Sequence, residues 1–326
     1  MITAEQLTKR FGTFTAIEDV SFEVGRGEIV GFLGPNGAGK STTMRILAGV
    51  FPPTRGRATI AGYDVVRDSL RARSAVGYFP ERVSLYLDMT VLHYLTYVGE
   101  LKGLRRGAAK RAAGEAAESC ALRGVAGRLI GSLSKGFRQR VGIAQSLVGS
   151  PRILILDEPT AGLDPEQVAD MRELIRELKS DRTVILSTHV LSEVEVTCDR
   201  VIIIHRGRIL AVDTPFNLNR RLRQNAQVYL EVKGPAADVL PLLRSVPGVL
   251  AVQADGGANG ALALTLTTAR DRDVREDLAA AVAGRGWGLL ELRPVTLTLE
   301  EIFLTVVAND EPAGESADET ARDLPA

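Results

Sequence analysis

The chain has 326 residues, 45% of them hydrophobic, and its 40 Lys plus Arg are balanced by 40 Asp plus Glu. Zero formal charge gives no strong field to draw it to nucleic acid or anionic lipid, and no stretch nears the ~18 uninterrupted apolar residues of a transmembrane helix. The length suits about two domains. Cys120 and Cys198 stand alone, without a CxxC pair or disulfide framework, and read as buried thiols in a reducing compartment.

In chain order, Met1-Ile2-Thr3-Ala4-Glu5 lacks the basic start and apolar core of a secretory signal. Thr15-Ala16-Ile17 and Val20-Ser21-Phe22-Glu23-Val24 predict short strands at an edge or in an antiparallel layer. Ile29-Val30-Gly31-Phe32-Leu33 is an apolar run of strand length, suited to burial on both faces. It runs straight into Gly34-Pro35-Asn36-Gly37-Ala38-Gly39-Lys40-Ser41, of the form GxxxxGK[ST], and residues 42–48 then read as a helix. Strand, loop and helix are the context this motif needs. The glycines let backbone N–H groups turn inward around anionic oxygens, and the helix N-terminus adds partial positive charge there. Lys40 can reach terminal phosphates and the Ser41 hydroxyl can ligate Mg²⁺. The candidate phosphate-binding set is Gly34, Pro35, Asn36, Gly37, Ala38, Gly39, Lys40, Ser41 and Thr42.

From 85 to about 149 the pattern turns mainly helical. Val91, Leu92, Leu95, Val98 and Leu101 form an apolar stripe that fits core packing and leaves room for partner docking. Leu133-Ser134-Lys135-Gly136 opens a further helix striped by Val141, Ala144, Leu147 and Val148. The Ser134 hydroxyl and the exposed N–H groups near Gly136 make a second anion site at a helix N-terminus. Ile153-Leu154-Ile155-Leu156 is a buried strand ending in Asp157 and Glu158. Asp157 is placed to hold Mg²⁺ through water, and Glu158 to polarise an attacking water. Runs at 183–187 and 201–204 complete an α/β alternation.

A smaller unit starts near Gln227. Strands are expected at 228–232, 250–252, 262–266 and 289–292, and helices at 236–246 and 273–283. The order β-α-β-β-α-β suggests a ferredoxin-like α+β fold. A last helix is expected at 299–307, followed by a disordered acidic tail at 308–326.

These motifs in this order, phosphate loop, Leu133 to Arg140, Asp157-Glu158, Gly162-Leu163-Asp164 and Ser187-Thr188-His189, closely resemble the ABC ATPase family. The Leu133 to Arg140 segment looks like the family signature LSGGQQR. The resemblance covers residues 1–215, with a helical subdomain at about 85–149, a linker at 216–226 and the accessory domain at 227–307. It implies a P-loop ABC-type nucleotide-binding domain that binds ATP with Mg²⁺. It also implies a homodimer in which one subunit's phosphate loop and the other's signature enclose each ATP. Carried over by residue, Phe11 resembles the aromatic that stacks on adenine, Glu158 the catalytic glutamate and His189 the switch histidine at the γ-phosphate. Ser134, Lys135 and Gly136 resemble the signature contacts to the partner's ATP, and Asp164 the residue that communicates across the dimer.

Two positions depart from the family pattern. Glu81 follows Gly77-Tyr78-Phe79-Pro80 where Gln is usual; its carboxylate can still ligate Mg²⁺ and adds negative charge near the triphosphate. Lys135 and Phe137 replace the commoner Gly and Gln. Lys135 can add a cation near the partner's ATP or point to solvent. The Pro80-Glu81 pair, the Leu133 to Phe137 form and the Leu299-Glu300-Glu301-Ile302-Phe303-Leu304 ending resemble ABC-2-type exporter ATPases. That subgroup implies a separate integral-membrane permease and a cytoplasmic, peripheral position on the inner face of the plasma membrane. A non-transport ABC ATPase is the alternative. The span from Glu81 to Leu133, about fifty residues without sustained heptads, is too short for the long coiled-coil insertions of such proteins, and the neutral charge argues against nucleic acid.

Overall fold

The structure is a computed structural model that describes residues 1–179, 182–222, 226–257, 260–269 and 272–295. The helix expected at 299–307 and the tail at 308–326 lie outside the described residues. The chain divides into two compact units, one over Met1–Pro215 and one beginning at Phe216.

The first unit opens with β1 (Ile2–Phe11), β2 (Phe14–Val24), β3 (Ile29–Leu33), α1 (Lys40–Leu47), β4 (Arg55–Ile60), β5 (Tyr63–Asp64), α2 (Ser69–Ser74) and β6 (Val76–Phe79). The helices α3 (Val91–Leu101), α4 (Arg106–Ser119) and α5 (Lys135–Leu147) follow. It closes with β7 (Ile153–Asp157), α6 (Pro165–Leu178), β8 (Thr183–Thr188), α7 (Leu191–Thr197), β9 (Arg200–His205) and β10 (Arg208–Asp213). One antiparallel sheet has the order β2-β1-β4-β5, and a six-stranded sheet the order β10-β9-β3-β8-β7-β6. The second is parallel except where β10 runs against β9.

Burial explains the pattern. Every residue of β3, β7 and β8 is buried, as their apolar runs 29–33, 153–156 and 184–186 demand of strands covered on both faces. Ile2, Leu7, Ile17 and Ile60 from the antiparallel sheet pack with Phe32, Met44, Ile46 and Ile155 in one core. Fully burying a side chain such as Phe32 or Met44 stabilises by about 1.5–3 kcal/mol. The two short strands expected at 15–17 and 20–24 are one strand, β2. Asp19 between them takes a left-handed φ of 50° and its N–H donates to Thr8 Oγ1 at 3.2 Å, so the gap in the apolar pattern is a bulge.

In the helical region α3 buries Val91, Tyr94, Leu95 and Gly99, whereas Leu101, the last residue of the expected stripe, is exposed. Alanines 109, 113, 116 and 117 give α4 a smooth buried face. Cys120 and Cys198 are free and buried; burial pushes the Cys120 thiol up to about 12 and raises Cys198 too. Neither is a thiolate nucleophile at neutral pH.

The 216–226 stretch expected as a linker carries α8 (Pro215–Leu222). Beyond it come β11 (Ala226–Lys233), α9 (Ala236–Ser245), β12 (Val249–Gly256), β13 (Ala261–Thr268), α10 (Arg275–Gly284) and β14 (Gly288–Val295). The antiparallel order β12-β13-β11-β14 is that of a ferredoxin-like sheet. Leu230, Val232, Leu264 and Leu266 alternate along the central strands and pack on Val239, Leu243, Leu278 and Val282 of the two helices. Helix α10 starts two residues later than expected. Asp273 is engaged before it, accepting from the Arg275 N–H at 3.1 Å, and the Arg275 guanidinium draws its carboxyl down to about 2.

Candidate nucleotide site

The parallel sheet brings the site together. β3, β8 and β7 are neighbours, and Leu33 pairs with Thr188 as Asp157 pairs with Ser187. The three segments that leave the carboxyl ends of these strands therefore emerge side by side, where open α/β sheets bind ligands. They carry the phosphate loop, Glu158 and His189.

A cavity of about 420 Å³ opens there. Asn36, Gly37, Gly39, Lys40, Ser41 and Thr42 form its floor, and Glu81, Glu158, Ala161 and His189 line it with Phe14 and Ala16. The loop needs two of its glycines. At Gly39, with φ 104°, a Cβ would lie 2.5 Å from Ile17 Cγ2; at Gly34 it would lie 2.3 Å from the Ile204 carbonyl oxygen. Gly34, Pro35 and Ala38 thus shape the loop and lie outside the lining itself.

Lys40 is buried. Its Nζ donates to the Gly34 and Pro35 carbonyls at 2.8 and 3.1 Å and lies 3.4 Å from Glu158 Oε1. Ser41 Oγ and Ser187 Oγ donate to Asp157 Oδ1 at 2.9 and 2.6 Å. Asp157 Oδ2 is buried without a hydrogen-bond partner among the described residues. Burial pushes the Asp157 carboxyl above the usual carboxylate range. The Ser187 and Ser41 hydroxyls pull it back, nearby Glu81 adds to the rise and Arg45 opposes it. An unpartnered carboxylate oxygen beside a hydroxyl and a phosphate loop is the hard oxygen set that suits Mg²⁺.

Glu158 takes a left-handed φ of 51°, a strained backbone for a residue with a side chain. Ser187 holds it there, since the Glu158 N–H donates to Ser187 Oγ at 3.0 Å and to its carbonyl at 3.2 Å. Its Oε2 lies 2.8 Å from His189 Nδ1. The carboxylate is thus clasped between Lys40 and His189.

Phe11 falls outside the cavity wall. Its ring packs edge-on to Phe51 at 5.7 Å, with Lys9 Nζ 5.2 Å from its centre. Phe14, its cross-strand partner beyond a two-residue turn, lines the cavity with Ala16 on the same strand face. Both lie in a hairpin whose aromatics were visible in the sequence; which one faces the cavity was not.

The signature residues form a separate cluster. Ser134 caps α5, its Oγ accepting from the Phe137 N–H at 3.4 Å. Lys135 does not line the cavity; it is exposed, and its Nζ donates to the Gly162 carbonyl at 2.8 Å. Asp164 caps α6, Oδ1 accepting from the Gln167 N–H at 2.9 Å, and a Cβ at Gly136 would meet Gln167 Oε1 at 2.6 Å. Lys135, Gly136 and Asp164 thus gather around the start of α6, and neither they nor Ser134 line the cavity that holds the phosphate loop.

Residues 17–161 match the family described as ABC transporter. Over 307 residues the chain is 33% identical to the linearmycin resistance ATP-binding protein LnrL of Bacillus subtilis, spanning 94% of this chain and 98% of that protein. The chain belongs to the ABC transporter ATP-binding proteins. It is also 37% identical, over 233 residues, to the bacitracin transport ATP-binding protein BcrA of Bacillus licheniformis, across 71% of this chain and 74% of that one. The dimeric structure of a bacterial ABC transporter cassette superposes with a TM-score of 0.60 at 25% identity, covering 66% of this chain and 98% of the cassette. As an ABC ATPase the chain binds ATP and hydrolyses it to drive transport. The P-loop α/β fold and the nucleotide chemistry expected from the phosphate loop, signature and Asp-Glu strand follow from that membership.

Proposed function

We propose that this ABC ATPase works as a homodimer and powers an ABC-2-type exporter through a separate permease chain. The observation that carries the dimer is the split between two halves of one site. The phosphate loop, Asp157, Glu158 and His189 share a cavity, while Ser134 and Gly136 present a capped helix N-terminus that lines none of it. A second copy supplies that helix end to the γ-phosphate, where its N–H groups and dipole favour negative charge.

Within the assembled site Lys40 places its charge on the terminal phosphates. Ser41, Asp157 and Glu81 would hold Mg²⁺, which neutralises charge on the phosphate oxygens and orients them. Glu158 orients the water and takes up its proton as the bond to ADP breaks; His189 holds the carboxylate through the 2.8 Å contact.

Among the described residues no helix is long and apolar enough to cross a membrane. On this reading the permease is a different chain, and this one sits peripherally on the inner face of the plasma membrane. A cavity of about 400 Å³ lined by Tyr78, Tyr86, Tyr94, Tyr97 and Leu101, with exposed Leu87 and Leu129 in the same helical region, supports docking there. The names of the two relatives, linearmycin resistance and bacitracin transport, support the exporter reading.

Two results test this. In a Glu158→Gln background, Ser134→Arg is expected to abolish the ATP-dependent dimer in size-exclusion chromatography, because a bulky cation displaces the capped N-terminus. ATP binding to the monomer survives. A dimer that persists with ATP contradicts the composite site. Co-purification of a permease chain from detergent-solubilised membranes is expected alongside; its absence argues for a non-transport ABC ATPase.

The ferredoxin-like unit serves regulation or dimer stability. All residues lining the nucleotide cavity precede Pro215. A chain ended after Arg220 is therefore expected to keep ATP affinity within about threefold, less than ~1 kcal/mol, while its dimer or transport coupling weakens. Loss of ATP binding by a folded truncation would count against this division of labour.

A further inference from the structure

Glu193 lies two residues into α7 and is buried, with 7% of its surface exposed. A carboxylate is costly to bury unless it is hydrogen-bonded. Here a single oxygen, Oε2, accepts from Thr160 Oγ1 at 2.8 Å and from Thr188 Oγ1 at 3.1 Å. Both threonines are themselves buried. Thr160 follows Glu158 by two residues, inside a turn in which the Ala161 N–H donates to the Glu158 carbonyl at 3.1 Å. Thr188 immediately precedes His189, and its Oγ1 also accepts from the Val190 N–H at 3.0 Å, which closes a turn around His189.

We infer that Glu193 is a positioning residue that fixes Glu158 and His189 against each other through Thr160 and Thr188. The inference rests on the hydrolytic reading of this site and adds a residue to it. One buried oxygen ties the loop after β7 to the end of β8, next to the two groups in 2.8 Å contact. Glu158 needs such support. Its left-handed backbone persists only where the surroundings over-determine it. Ser187 holds its N–H side; the Thr160 to Glu193 bond holds the chain on its C-terminal side. The phosphate-binding residues belong to neither loop. Lys40 and Ser41 sit on α1, after β3. Loss of Glu193 should therefore disturb the water-orienting pair and spare the nucleotide.

The test is a split between kcat and KM. Glu193→Ala is expected to lower kcat about 10- to 100-fold, as displacement of reacting groups by about 1 Å can, with KM for ATP changed less than about threefold. Glu193→Gln keeps a carbonyl oxygen in place and should recover most of the loss. Thr160→Val, which removes one donor and keeps the shape, should fall between parent and Glu193→Ala. If the effect runs through His189, Glu193→Ala in a His189→Ala background should cost less than about threefold more, the non-additivity of residues that act as a unit. Hydrogen exchange gives a reading independent of turnover, so failure of the hydrolytic assignment and failure of this one stay distinct. Segments 158–163 and 187–190 should both exchange faster in Glu193→Ala. A kcat within twofold of the parent, fully multiplicative losses with His189→Ala, or faster exchange confined to 191–197 would each overturn the proposal.

Discussion

Glu158→Gln is expected to lower ATP turnover about a hundred- to ten-thousandfold and to leave ATP bound. The amide keeps the size and planarity of the carboxylate but cannot take a proton from water, and positioned general bases contribute about 10²- to 10⁴-fold. The side chain is buried between Lys40 and His189, so the amide should remain in the same place. Binding should hold or improve, because the substitution removes a negative charge 3.4 Å from Lys40, the proposed phosphate contact. ATP then stays in the sandwich and the dimer accumulates. Phosphate release in single turnover measures the chemistry and calorimetry measures the binding. Turnover at the parent rate would remove Glu158 from the mechanism. Joint loss of turnover and ATP binding would mean that the glutamate supports the phosphate loop rather than the water.

How much of this was legible in the sequence depends on the range of the interaction involved. Runs such as 29–33 and 153–156 declare themselves, since a strand buried on both faces has no polar positions to offer. The phosphate loop and the Asp157-Glu158 pair are equally clear, because each packs its chemistry into a few consecutive residues. The β-α-β-β-α-β order was readable through alternation along β11 and β13, whose buried positions recur every second residue. The antiparallel layer was harder. In β2 the bulge at Asp19 breaks the alternation and splits one strand into two apparent ones. Side-chain destinations set by tertiary contacts were not readable at all. Phe11 and Phe14 flank the same turn, and only the packing of Phe51 and Lys9 on Phe11 decides which ring is left for the cavity. Lys135 meets a carbonyl 27 residues away. Glu193 is an ordinary helix acid in the sequence; its role depends on a threonine 33 residues upstream, and no local pattern marks that.

Lys40→Ala is expected to weaken ATP binding about 10- to 150-fold and to stop hydrolysis. Among the described residues, Lys40 is the only Lys or Arg side chain lining the cavity, which Glu81 and Glu158 also line. A charge-assisted contact to a phosphate is worth about 1.5–3 kcal/mol, and each 1.4 kcal/mol is about tenfold in affinity. The substitution also acts on the protein without nucleotide. Lys40 Nζ donates to the Gly34 and Pro35 carbonyls and balances the buried Glu158 carboxylate. Removing it leaves those carbonyls a donor short and the carboxylate without its cation, and each such deficit costs about 1–3 kcal/mol. The variant should therefore melt at a lower temperature than the parent and also lose most of the upward shift that ATP gives the parent, since a ligand stabilises in proportion to its binding. Lys40→Arg should not rescue it. The guanidinium is a planar fork, and the lysine site is a narrow passage between two loop carbonyls and a carboxylate, suited to a compact ammonium. Calorimetry with ATP and thermal unfolding with and without nucleotide separate the two effects. Unchanged affinity in Lys40→Ala would mean that the backbone N–H groups of the loop and the helix N-terminus of α1 carry the phosphates alone.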